Sequence, residues 1–192
     1  MDKSNDMTGF LDGRMLIAMP GMLDPRFDRS VIFMCAHSDD GAMGLIVNKP
    51  APDLKFVDLL EQLDIPKQDS AREIRVHMGG PVEHGRGFVL HSADYEAEGS
   101  TLDVSDDLGM TATIDILQDL AAGRGPDRAL LALGYAGWGP GQLEEEISAN
   151  VWLTLPASVD VLFNPDWQGK YQAAAQTLGI DMRLMATRPG HA

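Results

Sequence analysis

Residues 30–48 read SVIFMCAHSDDGAMGLIVN. Two apolar, β-rich runs, 30–37 and 42–48, flank Ser38-Asp39-Asp40-Gly41, a cluster of turn formers. That pattern predicts a β-hairpin. Lys49-Pro50-Ala51-Pro52 ends it, because proline cannot donate to a ladder. A domain founded on a hairpin points to an antiparallel sheet.

Outward from this hairpin the chain alternates short strands with helices. A strand at 14–19 precedes it and stops at Pro20-Gly21. After it, Phe56, Leu59, Leu60 and Leu63 recur at helical spacing, with Asp53 as the expected cap and Pro66 as the stop. Runs 73–78 and 86–92 read as strands around a Gly79-Gly80-Pro81 turn. A helix is expected over 113–122, with Gly123 at its end. Residues 128–135 read as a buried strand and 151–155 as extended. Asn164-Pro165 opens a helix striped by Tyr171, Ala174, Ala175 and Leu178 and closed by Gly179. A last strand is expected at 180–187. The 192 residues thus predict one α+β domain, 1–192, with a mostly antiparallel sheet flanked by helices and a flexible tail over 1–12.

Composition excludes several functions. Twenty-nine acidic against 15 basic residues give a net charge of −14, which repels a phosphate backbone. No basic run offsets it, so direct nucleic-acid binding is not expected. A single cysteine, Cys35, rules out an intrachain disulfide and fits a cytoplasmic protein. No apolar run approaches the length of a membrane span.

The stretch GYAGWGPGQLEEEI, 134–147, is the most unusual. With Gly139 as N-cap, Pro140 takes the first helical position and Gln142 can reach back to the cap amide. Trp138 and Leu143 then form a hydrophobic staple. Structure explains the motif better than anion binding, since Pro140 lacks an N–H and glutamates follow. The glycines still allow close approach, and Tyr135 and Trp138 are expected to line a shallow pocket.

Catalytic candidates are few. Cys35 and His37 should share a strand face, but nucleophilic catalysis also needs contact and an orienting acid. A buried, inert cysteine is the simpler reading. His77 and His91 fall on strands expected to pair, too few ligands for a metal site. The glutamates 144–146, and Asp103, Asp106 and Asp107, read as solvated surface. No cofactor and no metal are expected.

The segments AMPGMLDPRFDRSVIFMCAHSDDGAMGLIVNKP (18–50), GGPVEHGRGFVLHS (79–92) and GYAGWGPGQLEEEI (134–147) together resemble the YqgE/AlgH family of bacterial proteins. The resemblance covers about 13–180. It implies a bifurcated, strongly bent, barrel-like sheet with flanking helices, in a cytosolic bacterial protein of unestablished activity. Some members carry a transcriptional-regulator name, and no catalytic residues are agreed. Signature positions implied here are Pro20, Asp24, Phe27, His37, Gly41, Gly44, Asn48, Gly79, Gly80, Pro81, Gly87, His91, Gly137, Trp138, Gly141, Gln142 and Glu144.

The expected function is therefore non-enzymatic regulation through a protein partner or small ligand. Its expected site gathers Asn48, Gly79, Gly80, Pro81, Tyr135, Gly137, Trp138 and Gln142. The alternative is a small-molecule hydrolase or redox enzyme using Cys35, His37 or His91 near the Gly-rich turn. Exposed strand edges would also permit a homo-oligomer.

Overall fold

The computed structural model describes residues 9–185. The expected hairpin is its centre: β2 (Val31–Ser38) and β3 (Gly41–Ile46) pair antiparallel. β1 (Arg14–Ala18) lies beside β2, and β9 (Trp152–Pro156) pairs with β1 at one edge. On the other side, β3 meets the end of the long strand β8 (Ala129–Trp138). β5 (Val82–Ser92), β7 (Leu108–Thr111) and β6 (Thr101–Ser105) continue the sheet to its second edge. The last hairpin was not evident in the sequence; only its turn was.

The sheet splits because of β4 (Val76–Met78). This short strand pairs parallel with Leu131–Leu133 of β8, whose other edge carries β5. β4 wedges between β8 and the chain leaving β3: Ile46 N–H donates to the Gly79 carbonyl, and Gly79 N–H donates to Leu133. The chain must then cross β8 to begin β5 on the far edge. It does so at Gly80, which lies directly over the Tyr135–Ala136 backbone with φ +155°. Gly134 is the matching small residue below: a Cβ there would sit 2.6 Å from the Gly80 carbonyl oxygen. Gly79-Gly80-Pro81 is therefore a crossing, not the hairpin turn the sequence suggests. His77 and His91 consequently lie on strands separated by β8, not on paired ones.

The sheet curls until its edges approach: a Cβ on Gly13, before β1, would lie 3.3 Å from the Val104 carbonyl of β6. The concave face is filled by Met15, Phe33, Leu45, Phe88 and Leu90. Alternate residues such as Leu16, Ile32 and Met34 are buried on the convex face, beside Trp138 and Trp152. Strands buried on both sides read as continuous apolar runs, as 30–37 does. The result is an antiparallel half-barrel, parallel only at β4, flanked by helices.

α2 (Ile114–Ala121) covers the convex face with Ile116, Leu117 and Leu120, and Gly123 follows it in left-handed conformation. α1 (Phe56–Gln62) packs beside it but starts later than expected. Its N-cap is Lys55 rather than Asp53, and the Asp58 carboxylate takes the Lys55 N–H. α4 (Val159–Leu162) and α5 (Lys170–Thr177) close the concave side, with Tyr171, Ala174 and Ala175 buried and Gly179 ending the stripe. α5 starts five residues after Pro165, because Asn164 folds an Asx turn onto Asp166.

Two terminal expectations need correction. The expected strand at 180–187 is the short helix α6 (Met182–Met185), where the Asp181 carboxylate accepts the Arg183 N–H; 186–187 lie outside the described residues. In the tail, 1–8 also lie outside them, but Leu11 is tied down by its N–H bond to His37, against whose ring Phe10 packs edge-on. Among the described residues no helix is long and apolar enough to cross a membrane.

Candidate functional site

The Gly-rich motif builds one wall of a groove of about 640 Å³. Its helix, α3 (Gln142–Ser148), starts after Gly141 in left-handed conformation, two residues later than a Gly139 cap predicts. The expected reach-back bond is nevertheless present: Gly139 N–H donates to Gln142 Oε1 at 3.0 Å. Trp138 and Leu143 are both buried in one cluster, as a staple requires. Glu146 is no solvated acid. Its Oε2 accepts both indole N–H groups, Trp138 at 2.9 Å and Trp152 at 2.8 Å, and its Oε1 accepts Gln142 Nε2.

Of the eight expected site residues, Pro81, Gly137, Trp138 and Gln142 come together in this groove. Gly79 and Gly80 are spent on the crossing. Tyr135 packs edge-on against Phe88 over the concave core. Asn48 clamps the start of β2, accepting Val31 N–H and donating to the Arg29 carbonyl. The opposite wall is the 19–27 loop, with Pro20, Asp24 and Phe27 among its residues. Apart from Pro20, Asp24 and Phe27 being signature positions that the resemblance implies, nothing in the sequence marks this loop as part of the groove. At the lip Leu23 is 97% exposed.

Cys35 and His37 do not share a face. A β-bulge between Met34 and Ala36 inverts the alternation. Cys35 joins the concave core, while His37 lies opposite Ala42 on the convex side. His37 Nδ1 accepts the Leu11 N–H, so Nε2 carries the proton and donates to Glu144 Oε1 at 2.8 Å. Glu144, read from sequence as solvated, thus anchors α3 to β2. Burial pushes the Cys35 thiol up to about 12. A thiol so raised is not a nucleophile at neutral pH. Alkylation of the folded protein by iodoacetamide at pH 7 should be far slower than that of a free thiol; an equal rate would reinstate the cysteine reading.

His91 is fully buried and satisfied. Its Nδ1–H donates to the Ser92 carbonyl, and its Nε2 accepts the Thr111 hydroxyl. Thr101 donates to Thr111 and accepts the Ala97 N–H, completing a chain that ties β5 to β7 and β6. That arrangement holds strands together and leaves no ring nitrogen free for catalysis.

A second, larger cavity of about 1120 Å³ was not anticipated. It lies where β4 meets the α4–α5 connection. His77 lines it at 4% exposure, with neither ring nitrogen hydrogen-bonded to a protein group; the Leu131 and Arg75 carbonyls are nearby but not in bonding geometry. Lys170, 1% exposed, donates from Nζ to the carbonyls of Val47 (2.9 Å) and Leu162 (2.7 Å). The helical stripe hints at this lysine, which lies one turn from buried Ala174. Nothing local flags His77.

Burial, with Lys170 and Arg75 nearby, lowers the His77 pKa from 6.5 to about 4. Burial likewise lowers Lys170 to about 8, and it remains cationic through that range. A base with a lowered folded pKa binds fewer protons folded than unfolded. Its contribution is therefore neutral above pH 6.5 and becomes a loss of stability as pH falls toward 4. The loss reaches about 3 kcal/mol at most. Denaturant midpoints at pH 7 and 4.5 should differ less in a His77→Gln variant than in the wild type. An unchanged difference would contradict the buried neutral imidazole.

Known chains share this fold. The sequence model described as AlgH-like matches residues 15–183, and the chain belongs to that family. A UPF0301 protein of Cereibacter sphaeroides is 57% identical over 182 residues, covering 95% of this chain and 99% of that one. A UPF0301 protein of Ruegeria pomeroyi is 58% identical over 183 residues, with the same coverage. The solution structure of the AlgH protein from Pseudomonas aeruginosa matches with a TM-score of 0.79 at 41% identity over the full length of both chains. A crystal structure from Corynebacterium diphtheriae, 19% identical, shares the fold with a TM-score of 0.74, over 98% of this chain and 95% of that one.

Proposed function

We propose that the protein is a non-enzymatic regulator that holds an apolar segment of a protein partner in the groove between the 19–27 loop and the entry to α3. The observation that carries this is Leu23, a large apolar side chain 97% exposed at the lip of a groove walled by Phe27 and Trp138. Apolar surface kept in water beside a concavity suits a recognition site. The indole nitrogens are already held by Glu146, so the wall is preformed and little ordering accompanies binding.

The regulatory role follows the family resemblance, and the net charge of −14 favours a protein partner over DNA. Leu23→Ser tests the reading, because an exposed side chain can be changed within about 0.5 kcal/mol of stability. It should keep the unfolding midpoint and lose most in-cell association. Undiminished association in the folded variant would remove the groove from the account.

A further inference from the structure

We propose that the cavity between β4 and the α4–α5 connection binds a small organic anion, whose charged group is held by Lys170, His77 and Arg75 and whose body rests on Val57, Phe163 and Trp167. Five cationic residues and three carboxylates line this cavity, in a chain whose net charge is −14. Four of these eight charges are engaged elsewhere. Arg72 donates to the carbonyls of Pro126 and Asp127, and Arg128 pairs with Asp160 at 3.2 Å. Glu73 pairs with Lys67 at 3.4 Å.

What is left over is cationic on the β4 side. Arg75 immediately precedes β4, lines the same cavity as His77 and lies near enough to lower its pKa. Among the described residues Arg75 has no ion-pair or side-chain hydrogen-bond partner, and it is exposed. Lys170 uses two of its three N–H groups on carbonyls. The buried imidazole offers one more donor, and its second nitrogen can accept a proton-bearing oxygen. A buried polar group without a protein partner is costly, and an anion spanning these donors would satisfy it. Asp127 is the lining carboxylate that works against this field; it lies just before β8, the strand beside β4.

The apolar walls argue against a bare inorganic ion and for a carboxylate or phosphate on an organic body. AMP and octanoate are suitable probes for the two anion types, with adenosine and 1-octanol as their uncharged counterparts. Titrations would follow the His77 ring signals by NMR. At least one of the two anions should move those signals saturably, and its uncharged counterpart should not. Which anion binds tells phosphate from carboxylate.

Lys170→Met could unfold the chain, so Arg75→Ala is the decisive variant, since an exposed side chain can be removed from the folded protein. It should weaken the productive anion about tenfold or more. The proposal is overturned if neither anion reaches saturation at millimolar concentration, if the uncharged counterpart binds equally, or if Arg75→Ala binds as the wild type does.

Discussion

Gly80→Ala is expected to prevent the chain from reaching its folded state. At this residue the backbone passes straight over β8, and an added methyl would fall inside the backbone of Tyr135 and Ala136. No flexible side chain is present to yield. The φ of +155° adds a second cost for any residue with a Cβ. Ordinary overpacking costs about 1–3 kcal/mol where side chains can shift, and strained backbone adds about 1–3. Even with yielding neighbours the sum, about 2–6 kcal/mol, reaches the low end of a domain's whole stability, about 5–15 kcal/mol, and backbone that cannot yield raises it further. Gly85→Ala is the control, since a Cβ there meets nothing. Amide NMR spectra should show a dispersed pattern for Gly85→Ala and a collapsed one for Gly80→Ala. A well-folded Gly80→Ala would mean that the chain does not cross β8 there.

Trp138→Ala carries the second large effect, about 3–5 kcal/mol of lost stability. The indole is 7% exposed, packs edge-on against Trp152 with ring centres 6.0 Å apart, and shares a cluster with Leu143 and Ala136. Truncation would leave a void between β8, α3 and β9. It would also strip Glu146 of one of its two indole donors. Trp138→Phe keeps most of the ring packing but loses the N–H and a small part of the indole, so it should cost about 1–2 kcal/mol. Chemical denaturation of both variants gives the ratio directly. Equal costs would mean that the hydrogen bond, not packing, dominates. Because of this cost, loss of partner binding in Trp138→Ala would say nothing about the groove, and Leu23 is the cleaner probe.

These two residues also mark what was legible in the sequence. The hairpin at 30–48 was plain, because both strands are continuous apolar runs and their turn residues are adjacent. The staple of Trp138 and Leu143 and the reach-back of Gln142 are local motifs with local signals, and both are present. The crossing at Gly80 was not legible. Gly-Gly-Pro between two strands reads as a hairpin turn, and the parallel pairing of Val76 with Leu131 is a long-range event without a local mark. The β6–β7 hairpin stayed hidden although Leu102 and Val104 alternate with polar neighbours, because β6 is short and mostly exposed and only its acidic turn stands out. The bulge at Cys35 hid in the same way: strict alternation puts Cys35 and His37 together, and one extra residue sends them to opposite faces.

The site was half legible for a related reason. Trp138, Gly137 and Gln142 announce themselves by composition, but the 19–27 loop that faces them contributes through its path. His77 and Lys170 come from strands and helices far apart in sequence. Their proximity depends on β4 entering the split in the sheet, an element whose pairing the sequence concealed.

A partner docked as proposed would sit in the groove beside Leu23. A photoreactive benzophenone amino acid placed at position 23 tests it in living cells, with position 102 as the control. Leu102 is also exposed, at 46%, but lies on the far edge strand β6. A crosslinked product is expected at 23 that is absent at 102 and that fades when Gln142, on the facing wall, is replaced by Arg. The same products from both positions, or none from position 23 in the folded protein, would contradict it.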